Sequence, residues 1–397
     1  MNTTVKGPLS GIRVVDLTTA VSGPLAAVIL ADQGAEVIKV EPPTGDFMRA
    51  GGEQAGMNPT FVSCNRGKRS ISLDLKQAGA VDILWRLVMA SDVLLQNFRP
   101  GVVERLGIGS EAVLARHSRL VYASISGVGE RGPYAAKRVY DPVIQALGGL
   151  ADIQSDPKSG RPRMVRTLIA DKTTAIYAAQ AIVAALFARE RSGNGQHVRL
   201  SMLDTMVSYV WPEAMAGFSM LEQSADRSTA SAHDMVFATK DGYVTLGAVS
   251  DREWRALCEA IGRPKWIDDP LFATPAARSG NRQLRLDLVE KEIHGRTTEE
   301  LIAVLEAADV PCAPVLTRVQ MLADPQIAAN RLVHEIDQPG LGRLRQARPA
   351  ARFEKTPASL PRPAPALGEH TLEILGEVGY RSAEIGDLRR AGVVSIT

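Results

Sequence analysis

Cysteine is scarce in this chain: Cys64, Cys258 and Cys312 are the three among 397 residues. They share no C-x-x-C spacing and have no nearby histidine, so neither a zinc site nor a disulfide framework is expected. Buried, inert thiols are the expectation, and no metal. Charge of one sign is also missing, since 46 Lys and Arg against 44 Asp and Glu leave a formal net charge of +2. No global field recruits nucleic acid or a membrane, so any polyanion site must be a local cluster. No stretch reaches the roughly 18 apolar residues of a transmembrane helix. Met1 to Pro8 has no basic region followed by an apolar run, so no signal peptide is expected. Repeats and low-complexity runs are absent. A soluble, cytoplasmic protein is the expectation.

What is present is an ordinary globular composition, 45% hydrophobic and 23% charged. The length suggests two domains, or one large domain with an insertion. Residues 12–17 read as a strand, 18–23 as a small-residue loop, 25–33 as a helix and 35–41 as a second strand. This β-α-β unit predicts a parallel sheet. Further strands are expected at 70–75, 92–96, 120–126 and 196–200. Helices are expected at 79–89, from 102, from about 171 to 190, and over 203–221. Residues 222–231 are polar and small, a candidate linker. A hairpin follows around Lys240-Asp241-Gly242, then a helix face of Trp254, Leu257, Cys258 and Ile261. Thr297 and Glu300 form a capping box. The expected division is a large domain of 1–221 plus 324–397 and a small α+β domain of 222–323. The Arg- and Pro-rich tail from Asp324 is expected to be extended, with a final helix at 370–376.

Asp171 stands where a polar stretch meets a long apolar helix. Its position reads first as an N-cap, whose carboxylate takes the first free N–H groups, and alternatively as a carboxylate nucleophile exposed at a helix start. A nicotinamide-dependent oxidoreductase is the alternative from a different class. The first β-α-β unit has the layout, and Glu41 ends its second strand. However, residues 18–23 hold one glycine and cannot read G-x-G-x-x-G. No P-loop and no G-x-S-x-G is present. The basic run Asn65 to Lys76 reads as a phosphate site or as a solvated loop. Asn97 to Gly101 follows a buried strand, where open α/β sheets build their binding crevice.

Taken in order, LSGIRVVDL at 9–17, GAEVIKVE at 34–41, NRGKRSI at 65–71, QNFRPG at 96–101 and YDP at 140–142 resemble the class III CoA-transferases (CaiB/BaiF family). GNGQHV at 193–198 and LGEHT at 367–371 extend the resemblance over nearly the whole chain.

The resemblance implies an enzyme that moves coenzyme A from an acyl-CoA donor to a carboxylic acid acceptor. It makes Asp171 the nucleophile, acting through an aspartyl anhydride and thioester. Coenzyme A is the substrate that stands where a cofactor would, with Leu73, Asp74, Leu75, Lys76, Asn97, Phe98, Arg105, Arg138 and Tyr140 along it. Ala20 and Val21 would lie near the reacting thioester. Asn65, Arg66 and Lys68 are weaker candidates for the same role. The fold implied is α/β, a Rossmann-like large domain with an inserted small α+β domain, in an interlocked homodimer. Val21 stands where formyl-CoA transferase-like members have glutamine, which argues against oxalate or formate as substrates. Tyr140 stands where α-methylacyl-CoA racemases carry histidine. A racemase needs two acid–base groups across the α-carbon, so the racemase alternative loses one of them.

Overall fold

The computed structural model describes residues 7–50, 57–156, 159–221, 235–358 and 362–395. The linker expected at 222–231 lies outside them. The chain forms two compact units, Met1–Ala230 with Arg331–Thr397, and Ser231–Asn330.

The first unit begins β1 (Arg13–Asp16), α1 (Ser22–Asp32), β2 (Glu36–Glu41), α2 (Pro59–Asn65), β3 (Arg69–Leu73), α3 (Ala78–Met89) and β4 (Val93–Gln96). It continues α4 (Val102–Arg105), α5 (Ser110–Arg116), β5 (Val121–Ser126), α6 (Asp141–Leu147), α7 (Leu150–Ile153), α8 (Ile169–Ser192), β6 (His197–Ser201) and α9 (Met202–Ala214). The six strands pair in parallel in the order β3-β2-β1-β4-β5-β6. Their apolar runs are buried on both faces, as a parallel sheet covered by helices requires. α3 packs on one face, while α1 and α8 pack on the other. Alanines on both helices, Ala26, Ala27, Ala175, Ala178 and Ala179, bring those two together at interior packing density. The strand order reverses between β1 and β4, which opens a crevice at their carboxyl ends.

α9 is shorter than the expected 203–221. Pro212 stands in its last turn and a 3-10 turn, Ala216–Phe218, follows. Proline has no N–H to continue the ladder.

The second unit holds β7 (Val236–Ala238), β8 (Tyr243–Leu246), α10 (Asp251–Ala260), α11 (Pro275–Gly280), α12 (Arg282–Ile293), α13 (Thr298–Ala307), β9 (Cys312–Pro314), α14 (Arg318–Ala323) and α15 (Pro325–Ala329). Its three strands are antiparallel, with Trp254, Phe272 and Leu301 in its core. The Thr297–Glu300 capping box forms in both directions. The unit ends at Asn330, seven residues beyond the expected 323, because α15 packs against α14.

The tail is not simply extended. It forms the antiparallel pair β10 (Val333–Gln338) and β11 (Gly342–Ala347), then α16 (Thr371–Glu377), α17 (Ser382–Arg390) and β12 (Val394–Ser395). β12 adds to β3 as an antiparallel edge of the large sheet. β10 and β11 bury little, so their alternation is faint in the sequence. Among the described residues, no helix is long and apolar enough to cross a membrane. The three cysteines are free thiols, Cys64 and Cys258 buried and Cys312 half-buried.

Candidate active site

Loops leaving β1, β4 and β5 surround a cavity of about 680 Å³ at the crevice. Thr19, Ala20 and Ser22 line it from the first loop, and Asn97 to Pro100 from the second. Ser126 to Gly129 close it from the third, with Lys137, Arg138, Tyr140 and Asp171 on the remaining wall.

Asp171 is the third residue of α8, inside the first turn, and so is not the N-cap. The capping is done by another aspartate. Asp141 Oδ2 accepts the backbone N–H of Ala170 at 2.7 Å and of Asp171 at 3.1 Å. Its other oxygen takes Gln145 Nε2 at 2.6 Å. Gln145 in turn accepts the N–H of Val165 and donates to the carbonyls of Val165 and Thr167, which fixes the approach to α8. Asp141 is buried.

Burial first, and then the charge of Asp141, raise the Asp171 carboxyl to about 6, against a lowering pull from the hydroxyl and N–H of Ser22. A carboxylate in this state is ionised at neutral pH, yet less stabilised than a solvated one. That is what a carboxylate nucleophile requires.

Of the residues chosen from sequence, Ala20, Asn97, Phe98, Arg138, Tyr140 and Asp171 meet in this cavity. The others do not line it. Val21 is buried just ahead of α1, and Leu73 is fully buried in the sheet core. Its side chain therefore has no surface to offer a ligand. Leu75 packs on the same core, Asp74 binds Val393 O through its N–H, and Lys76 is exposed. Arg105 is exposed at the end of α4. Asn97 contributes differently from expectation. Its amide is already spent on the loop across the crevice, accepting Thr19 N at 3.0 Å and donating to Thr19 O at 2.9 Å.

The weaker candidates face inward. Asn65 and Lys68 are buried, and Arg66 pairs with Asp32 at 2.6 Å. Sequence reasoning missed Ser22, Arg99, Lys137 and Asp141 as site residues. Arg99 stood inside the singled-out stretch 97–101, and Asp141 inside the YDP motif at 140–142. Neither Arg99 nor Arg138 makes an ion pair among the described residues, so both guanidinium groups are open to an anion in the cavity.

A second cavity of about 440 Å³ shares Phe98, Arg99, Pro100, Ile125 and Ser126 with the first but does not contain Asp171. Its His197 is lowered to about 4 by burial and by Arg199, hence neutral at physiological pH.

Residues 9–371 match the model of CoA-transferase family III. A human succinyl-CoA:glutarate CoA-transferase is 33% identical over 396 residues, covering 98% of this chain and 90% of the relative. A succinyl-CoA:mesaconate CoA-transferase of Haloarcula marismortui is 35% identical over 393 residues, covering 94% and 97%. The crystal structure of a CaiB/BaiF family protein from Brucella suis superposes with a TM-score of 0.81 at 33% identity, covering 94% of this chain and 100% of that one.

Proposed function

This chain belongs to CoA-transferase family III and is a CoA-transferase, and we propose that Asp171 is its nucleophile and short dicarboxylic acids are its substrates. The observation that carries the first half is the partly buried Asp171 carboxylate, raised to about 6, on the wall of the crevice cavity.

Asp171 attacks the thioester carbonyl of the donor. The C–S bond breaks, CoA thiolate leaves, and a mixed anhydride remains on Asp171. Thiolate then attacks the aspartyl carbonyl, which gives an aspartyl-CoA thioester and releases the donor acid. The acceptor carboxylate displaces thiolate from that thioester. A second anhydride forms, and thiolate attack on its acceptor carbonyl frees Asp171. No proton need be lost to bulk, and the thioester's energy is kept through every step. Water must be excluded while the anhydride stands, since hydrolysis would waste it. Arg99, Lys137 and Arg138 on the cavity wall suit the phosphates of coenzyme A and a distal carboxylate. Asp74, Leu75, Lys76 and Arg105 remain candidates for the outer reach of coenzyme A, beyond the cavity.

The dicarboxylate reading is supported by relatives named for succinyl-CoA with glutarate and with mesaconate. The test is a panel of succinyl-CoA, acetyl-CoA and 2-methylacyl-CoA donors against mono- and dicarboxylic acids, read by mass spectrometry. Transfer from succinyl-CoA to five-carbon dicarboxylates is expected. Transfer confined to monocarboxylic acids would refute the substrate class. Heavy water tests the racemase alternative in the same assay. No deuterium is expected at the α-carbon of the 2-methylacyl-CoA, because Tyr140 stands where the racemases carry one of their two acid–base groups.

We also infer an interlocked homodimer as the working state. Ile176 and Phe187 are 60% and 64% exposed in the single chain and lie about three turns apart on α8. Trp211 on α9 is 51% exposed. Large apolar side chains on helices of the main unit call for a covering surface, and a second copy is the occupant we assign. Light scattering should give a dimer mass. Subunits from two tagged pools should exchange only after unfolding, and a monomer mass at micromolar concentration would contradict this.

A further inference from the structure

We propose that Lys39 and Lys68 are positioning residues of the transfer reaction, whose ammonium groups hold the two ends of the segment from Thr18 to Pro24, the β1–α1 loop and the start of α1, that lines the Asp171 cavity. The proposal rests on the reading of Asp171 as nucleophile.

Lys39 lies inside a strand that otherwise reads as apolar core, and Lys68 sits in the basic run that resembled a phosphate site. Both side chains are completely buried, at 0% exposure. Burial of an ammonium is costly unless its N–H groups find acceptors and its charge a partner. Lys68 Nζ meets that condition in full, donating to Asp16 Oδ2 at 2.8 Å, Pro24 O at 2.9 Å and Asn65 Oδ1 at 2.9 Å. Lys39 Nζ donates to Thr18 O at 2.9 Å and to Asp46 Oδ2 at 3.1 Å. Each lysine thus spends one bond on a backbone carbonyl, Thr18 O at the start of the loop after β1 and Pro24 O in the first turn of α1, where the loop ends.

The loop between them is held at further points. Thr18 donates its N–H and its hydroxyl to Asp16 Oδ1, at 2.9 and 2.5 Å. Thr19 is clamped from across the crevice by Asn97. Between these fixed points Ala20 has φ of +69°, in the left-handed region that alanine avoids. A strained residue persists only where its surroundings over-determine it, and such strain gathers at functional sites. Volume alone would be served by an aliphatic side chain in place of either lysine. What the ammonium adds is direction: it fixes where Thr18 O and Pro24 O stand. The cavity-lining atoms of Thr19, Ala20 and Ser22 follow from that placement. Misplacement of such a wall by a fraction of an ångström is enough to slow the chemistry.

The arrangement has a pH signature. Lys68 is lowered to about 8, burial outweighing the support of Asp16 on β1, with Lys39 on β2 lowering it too and Cys64 on α2 raising it. A neutral amine has two N–H groups and cannot serve three acceptors. Above the midpoint one acceptor is released and the loop loosens. A role confined to folding would leave no such midpoint in the rate.

The test measures kcat and KM with succinyl-CoA and glutarate from about pH 6 to 9.5, on wild type, Lys68→Met, Asp16→Asn and Asn65→Ala, with circular dichroism as the folding control. Wild-type kcat should fall through a midpoint near 8. Lys68→Met should lose that limb, with kcat down about tenfold to a hundredfold and KM within about threefold. Asp16→Asn should move the midpoint down by about one unit, since the supporting carboxylate charge is gone. Asn65→Ala should move it in the same direction, which keeps the test decisive if Lys68→Met does not fold. Wild-type kcat in a folded Lys68→Met, or an unmoved midpoint in both other variants, would overturn the proposal. Covalent labelling of Asp171 on the same samples separates the two readings. No adduct in wild type defeats the nucleophile assignment. Adduct formation in Lys68→Met at the wild-type rate defeats the positioning role alone.

Discussion

Asp141 Oδ2 accepts the backbone N–H of Asp171 itself, at 3.1 Å, together with that of Ala170 at 2.7 Å. One aspartate therefore caps the helix that presents the other. The cap takes the anion position at the helix start, where the macrodipole favours negative charge. Its charge then makes ionisation of Asp171 harder, in the same direction as burial.

The first prediction separates those two effects of Asp141. Asn is an isosteric cap that still accepts an N–H bond, so Asp141→Asn should fold. It removes the charge, so the carboxyl of Asp171 should ionise at lower pH. In wild type the acid limb of kcat/KM is expected near 6, and in Asp141→Asn it should move below that value. Asp141→Ala loses the cap as well, and should cost about 1–2 kcal/mol of stability. Identical acid limbs in wild type and Asp141→Asn would show that the charge does not reach Asp171.

A second prediction follows from linkage. The folded-state value for Asp171 is raised above that of the unfolded chain. Its contribution therefore favours folding below the unfolded value and is lost as pH rises through about 6. Asp171→Asn should accordingly be more stable than wild type at pH 7 to 8, on the order of 2–3 kcal/mol. The gain should shrink below 6 and vanish near 4. Urea titrations across that range check it, and a variant less stable than wild type at pH 8 contradicts the sign.

Gly23 supplies a third. A Cβ there would stand 2.4 Å from Thr18 Cβ, too close for any side chain. Gly23→Ala must push Thr18 away from Asp16 and Lys39. An overpacking loss of about 1–3 kcal/mol is expected in thermal melts, with transfer slowed at least tenfold in the folded fraction. Wild-type rates would mean the loop tolerates displacement.

The open guanidinium groups give a fourth. Arg99→Ala and Arg138→Ala should each raise the KM for acyl-CoA about tenfold, the worth of one charge-assisted bond, with kcat changed far less. The loss should shrink as salt rises. A KM unchanged in both variants would remove them from the substrate site.

Much of this architecture was legible in the chain. β1, β2, β4 and β5 are short apolar runs, and they fall where the apolar pattern put them. The crevice followed from their order, and Ala20, Asn97, Phe98, Arg138 and Tyr140 gather there with Asp171. What the sequence hid is which charges point inward. Lys68 and Arg66 look like solvated surface in a run of basic residues, yet their partners, Asp16 and Asp32, lie far away in sequence. Pairing across such distances leaves no local trace. Asp171 misled in the opposite way. It resembles a cap by position, but the capping carboxylate comes from Asp141, 30 residues earlier. β10 and β11 escaped notice because they bury too little to show a period.

The central claim is that Asp171 carries the acyl group, and the most direct measurement is covalent trapping during turnover. The protein is mixed with succinyl-CoA, quenched with hydroxylamine or borohydride, and mapped by peptide mass spectrometry. The account predicts modification at Asp171, dependent on the donor and absent in Asp171→Ala, which should still bind coenzyme A but transfer nothing. Transfer by Asp171→Ala at near wild-type rate, or a donor-dependent adduct on another residue with Asp171 untouched, would contradict it.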